Sequence, residues 1–140
     1  MIYFSIEEFE KSDVAKSRKI DNTAPENIRS NIEEFVNNLL DPLRTAWGSG
    51  IRVNSGYRCD ALNKAVKGSA TSVHPLGYAV DIVPSNGNMK EFQSFVEKFL
   101  SDKEFDQLIF EKPRKGIASW LHISYKNKHG KQRKQIFTLI

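Results

Sequence analysis

The chain carries one cysteine, Cys59, so an internal disulfide is excluded and nothing points to an oxidising compartment. No apolar run approaches the roughly 18 residues that a membrane span needs. The opening Met-Ile-Tyr-Phe-Ser-Ile-Glu-Glu has neither the basic region nor the apolar stretch of a secretory signal. The expectation is synthesis in the cytoplasm, with another route of release or delivery if the protein works elsewhere. Internal repeats and low-complexity segments are absent as well.

What is present is the profile of a soluble globular chain: 140 residues, 39% apolar and 27% charged. That length buries one core and is short for two, so residues 1–140 are expected to form a single domain. The formal charge of +4 favours anionic partners without choosing among them. Lys126, Lys128, Lys131, Arg133 and Lys134 concentrate the excess near the C-terminus, where a solvated face or hairpin is the simplest reading. No recognisable nucleic-acid motif accompanies them, so no nucleic-acid partner is expected.

Ser5 followed by Glu8 forms a capping-box pattern for a short first helix that carries Ile6, Phe9 and Val14. Thr23, Pro25 and Glu26 then start a longer helix with Ile28, Ile32, Phe35, Val36, Leu39, Leu40 and Leu43 on one stripe. Pro42 should kink that helix or end its regular hydrogen bonding before Trp47. Further on, Ile51 to Asn54 reads as a strand, Ala61 to Val66 as a short helix and Tyr78 to Val83 as a buried strand stopped by Pro84. Asn88 and Glu91 open a last helix, and three strand-like runs follow at Gln107 to Glu111, Ser119 to Tyr125 and Gln135 to Leu139. Helices first and strands later predict an α+β fold with an antiparallel sheet packed against helices.

The chemistry concentrates in Ser72-Val73-His74-Pro75-Leu76-Gly77-Tyr78-Ala79-Val80-Asp81, which sets a histidine and an aspartate seven apart across a glycine turn into a strand. Both are good zinc ligands, and a catalytic zinc site takes three side chains while keeping a position for water. His122 is the natural third. In Trp120-Leu121-His122-Ile123-Ser124 the strand period puts His122 on the face opposite Leu121 and Ile123. An unpaired Asp81 beside Ile82 and Val83 would cost several kcal/mol, a difficulty that a metal removes.

The same period places Gln107, Ile109 and Glu111 on one side of the preceding strand, and a hairpin through Pro113 and Gly116 would bring Glu111 towards His122. Glu111 is thus the candidate general base, with Asp106 in reserve and an ordinary ion pair to Lys112 or Arg114 as the alternative. Arg58, in Ser55-Gly56-Tyr57-Arg58, could hold a substrate carboxylate with its planar fork or pair with Asp60 or another acid. Ser72 and Ser124 could orient the ligands. Cys59 is a weak rival nucleophile, and His129, among lysines, is expected at the surface.

Ser72 to Asp81 matches every fixed position of the Ser-x-His-x-x-Gly-x-Ala-x-Asp signature, and so resembles the D-alanyl-D-alanine carboxypeptidase family of zinc peptidases, structurally related to the hedgehog signalling domain. Ser55 to Arg58 is similar to that family's Ser-Gly-Tyr-Arg element, and Trp120 to Ser124 to its closing Trp-x-His element. The likeness spans roughly residues 25 to 125.

This resemblance implies a hedgehog-like α+β fold, zinc on His74, Asp81 and His122, and a substrate-carboxylate or transition-state role for Arg58. Many relatives place a glutamate two or three residues before the second histidine. The residues leading up to His122 here include Ala118, Ser119 and Trp120 and no glutamate, and Glu111 resembles the hedgehog-type and short phage-type arrangement. The implied activity is that of a murein peptidase of D,D or L,D type, acting as carboxypeptidase or endopeptidase on peptidoglycan stem peptides. A monomeric, phage-delivered or otherwise released enzyme acting on the cell wall fits the missing signal. The alternative is a non-catalytic, zinc-stabilised domain that binds cell wall or another anionic polymer.

Overall fold

The computed structural model describes residues 1–112 and 119–139. Two short helices lead, α1 (Ile6–Glu10) and α2 (Asp13–Ser17), with Ser5 and Ser12 accepting from the backbone N–H groups of Glu8 and Ala15. Val14 therefore belongs to a second helix rather than to the first, because Ser12 caps a new start.

The long apolar stripe folds as α3 (Glu26–Phe35), a π-helical stretch over Val36–Leu40, and α4 (Asp41–Trp47). Proline has no N–H to donate and its ring crowds the carbonyl four residues back. The helix meets both problems by widening just before Pro42, so the irregularity lies upstream of the proline and α4 continues through Trp47. Gly48 then ends the helix in the left-handed conformation.

Strand β1 (Ile51–Ser55) and helix α5 (Asp60–Ala65) precede a single 3-10 turn at His74–Leu76, and β2 (Ala79–Pro84) follows it. Gly77 makes the bend into β2 at φ +78°, and a Cβ there would meet Ile28 and Ile32 of α3 at 2.9 Å, so no other residue fits. Helix α6 (Met89–Leu100) packs on α4, with Trp47 set against Phe92 and Phe95 at ring distances of 5.0 and 5.2 Å. Strands β3 (Gln107–Glu111), β4 (Trp120–Ser124) and β5 (Gln135–Leu139) complete the chain. The expected loop with Pro113 and Gly116 lies outside the described residues.

The sheet order is β1-β2-β4-β3-β5. Neighbours run antiparallel as expected, except that β5 lies parallel to β3 at the edge. One face of the sheet buries Val80, Ile82, Leu108, Leu121 and Ile123 against Ile32, Phe35, Leu39, Phe92 and Val96 of the helices. The opposite face carries the polar members of the same strands, and the site is built there.

Candidate metal centre and its cleft

Register alone brings the first two groups together. Asp81 of β2 sits directly opposite His122 of β4, both on the polar face, and the 3-10 turn swings His74 in from below Gly77. Ligand atoms of His74, Asp81 and His122 all lie within 4.8 Å of one another. Asp81 Oδ1 is 3.0 Å from His122 Nδ1 and 3.5 Å from His74 Nε2. Two ligands about 2.1 Å from a tetrahedral ion are roughly 3.4 Å apart, so these spacings suit zinc.

Tautomers sharpen the point. His74 Nδ1 lies 2.6 Å from the carbonyl oxygen of Gly56, an atom that can only accept, so Nδ1 carries the proton. Burial pushes the ring towards its neutral form despite the charge of Asp81. Nε2 is then a bare lone pair aimed at a carboxylate oxygen. A cation between two such acceptors satisfies both, and the donor set of two imidazoles and a carboxylate fits a zinc ion. The Gly56 carbonyl is the orienting partner that such histidines require, and Gly56 is free of a side chain because a Cβ would meet Phe9 at 2.8 Å.

Burial alone would raise the Asp81 carboxyl, but the hydrogen bond from His122 outweighs it, and the group is held well below the usual carboxylate range. Its other oxygen, Oδ2, accepts from Arg58 Nη2 at 3.3 Å. Arg58 also donates Nε to Ser55 Oγ and Nη1 to Asn63 Oδ1, at 3.1 and 3.2 Å. Its ion-pair partner is thus Asp81 rather than Asp60. Among the described residues three of the five N–H groups are engaged, and the other two have no partner there and can meet a ligand in the cleft that Arg58 lines.

Glu111 reaches the same cleft. It pairs across the hairpin with Trp120, whose indole Nε1 donates to Glu111 Oε2 at 3.1 Å, and it lines the cavity with His74, Asp81 and His122. Burial first, and then the Asp81 carboxylate, push its acid above the ordinary glutamate range against His122, the Trp120 bond and Arg58. Asp106 is elsewhere. It is fully buried and clamped through both oxygens by Arg133, with Nε and Nη2 at 2.7 and 2.8 Å, so the reserve candidate is a structural acid.

A model of the Peptidase M15 family matches residues 2–124, which takes in Arg58, His74, Asp81, Glu111 and His122. The chain belongs to the M15 peptidase family. It is a family of zinc-dependent, D-Ala-D-Ala carboxypeptidase-like enzymes, and the α+β architecture agrees with it. A search of curated proteins finds no match.

Other candidates resolve differently in this M15 chain. Ser72 Oγ accepts from the His74 backbone N–H, and Ser124 Oγ from that of Gln107, so both support backbone rather than ring nitrogens. Cys59 caps α5. The basic run is partly spent on ion pairs, Lys126 with Glu34, Arg133 with Asp106 and Lys134 with Glu104. His129 is exposed as expected, yet it lies on the rim of the cleft.

Two features were missed. Asn63 joins Arg58 to the cleft wall, its Nδ2 donating to the Ser69 carbonyl at 3.0 Å. Phe137 and Leu139 of β5 face into the cleft. Only the helical position of Asn63, next to the buried Leu62, hinted at the first, and the strand period of β5 at the second. No helix among the described residues is long and apolar enough to cross a membrane.

Proposed function

We propose that the protein is a zinc peptidase that hydrolyses peptide bonds in the stem peptides of bacterial peptidoglycan, with His74, Asp81 and His122 as metal ligands. The observation that carries this reading is the convergence of His74 Nε2 and His122 Nδ1 on Asp81 Oδ1, at 3.5 and 3.0 Å. When bound there, zinc lowers the pKa of a coordinated water to about 7 and polarises the scissile carbonyl.

The chain's own residues do the rest. Glu111, held by Trp120 and raised towards the working range of a general base, takes the proton from the attacking water and returns it to the leaving amine. Asp81 keeps Oδ1 towards the ligand cluster because Arg58 engages Oδ2. The two remaining N–H groups of Arg58 hold a substrate carboxylate or the oxygen that gains charge in the transition state. Lys67 and Lys128 also line the cleft, and such charges suit a peptide rich in carboxylates, as stem peptides are.

The test is to purify the chain, measure its metal by mass spectrometry and incubate it with isolated cell-wall sacculi. One zinc per chain and newly exposed amino groups are expected. Sacculi left intact by the zinc-loaded protein would overturn the peptidase reading and leave a zinc-stabilised binding domain in its place.

A further inference from the structure

The M15 match ends at residue 124, and the segment that follows supplies a wall of the cleft. Across the sheet, Asp81 is opposite His122, His122 opposite Ile109, and Ile109 opposite Phe137. One transverse row thus leads from the candidate ligands to the edge strand. In the neighbouring row Glu111 stands opposite Leu139. With strands about 4.8 Å apart, Phe137 lies roughly 10 Å from His122, backbone to backbone.

Ile109, Phe137 and Leu139 all line the cleft, whereas Ile136 and Thr138, on the alternate face of β5, do not. Phe137 and Leu139 remain 40% and 51% exposed, so they add little to the core. Yet β5 is firmly held. Lys134 and Gln135 donate backbone N–H groups to the Phe105 and Asp106 carbonyls, Lys112 donates to Leu139, and Arg133 grips the buried Asp106. An ion pair to the buried Asp106 and a strand's worth of hydrogen bonds fix apolar side chains that face open cleft, which is the arrangement of a binding surface rather than of a core.

We propose that Ile109, Phe137 and Leu139 form an apolar shelf that seats the aliphatic side chain of a substrate residue close to the scissile bond. An extended peptide advances about 3.4 Å per residue, so the shelf serves side chains roughly one to three residues from a carbonyl held at the His74–Asp81–His122 cluster. A polar side chain finds no hydrogen-bond partner in these three residues and is disfavoured there. The inference rests on the peptidase reading.

Its test uses the full zinc-loaded chain and a set of synthetic stem peptides that differ only in alanine, leucine or serine at the positions flanking the cut. Wild type is expected to prefer the aliphatic residues at one of them. Phe137→Ser combined with Leu139→Ser should lower kcat/KM for the aliphatic peptides about tenfold, mainly through KM, and flatten the preference, while zinc content is unchanged. Phe137→Leu should retain most of the preference. Ile136→Thr, on the other face of the same strand, should retain all of it and so controls for damage to β5. An unaltered preference in the double serine variant overturns the shelf and leaves the peptidase standing. A wild-type chain that cleaves no peptide removes both.

Discussion

Strands β2 and β4 lie inside the sheet and β5 lies at its edge, and the two regions hold their cleft-facing residues by different means. Every residue of β2 is buried, and Asp81 is fixed by its place in the sheet interior and by bonds to Arg58 and His122. Every residue of β5 is exposed, and its place is set by backbone hydrogen bonds and by Arg133 reaching into Asp106. Metal ligands must be placed to a few tenths of an ångström, which a rigid interior provides. A surface that recognises a substrate must instead be open to water until the substrate arrives. The cleft is the junction of these two kinds of construction.

The contrast breaks most sharply at the inner strands. His122→Ala should abolish both zinc retention and cleavage, leaving activity at background. Glu111→Gln should retain one zinc per chain and lose about 10²- to 10⁴-fold in kcat, because only proton transfer is removed. Metal analysis beside peptide cleavage distinguishes the two. Zinc lost from Glu111→Gln, or full activity in it, would remove Glu111 from the proposed mechanism.

The inner half of the site was the legible half. A local pattern, His74 through Asp81, carries two of the three clustered groups, and a period of two places His122 and Glu111 on one face without knowledge of the whole fold. What the sequence hides is long-range choice. Arg58 stands two residues from Asp60 but pairs with Asp81, 23 positions on, because the cluster leaves Oδ2 facing it. Asp106 reads as a spare acid until the fold brings Arg133 against it from 27 positions away. The β-branched and aromatic run in Gln135 to Leu139 signals a strand but says nothing of direction, so the parallel pairing of β5 was invisible. The π-helical widening before Pro42 is equally unreadable, since a proline announces a disturbance without fixing where the helix absorbs it.

At the edge strand the expected effect is on stability rather than on chemistry. Arg133→Met would leave Asp106 buried without its counter-ion, at a cost of about 2–3 kcal/mol, towards the low end for buried pairs because the arginine is partly exposed. Urea denaturation should show the loss, while zinc content stays at one per chain. A variant as stable as wild type would mean that β5 is held by its backbone bonds alone. Asp106→Asn with Arg133→Met, which removes both charges, should recover part of the loss.

The smallest effect expected is a pH dependence of the metal-free protein, and its sign follows from His74. Burial sets the folded pKa of that ring below its ordinary value of 6.5. As pH falls through 6.5 the unfolded chain takes up a proton that the folded ring refuses, so stability declines, by at most about 1.4 kcal/mol per pH unit for one group. Asp81 adds its own decline only in far more acidic solution, because its folded pKa is depressed. Glu111 acts in the opposite sense: its raised pKa favours the fold in acid, and that contribution fades as pH rises from 4.5 through the folded value. Urea midpoints measured in chelator between pH 8 and pH 5.5 should therefore fall, and His74→Gln should flatten the slope below pH 6.5. Equal slopes in the two proteins would mean that His74 is not held neutral, and the lone pair facing Asp81 would disappear with it.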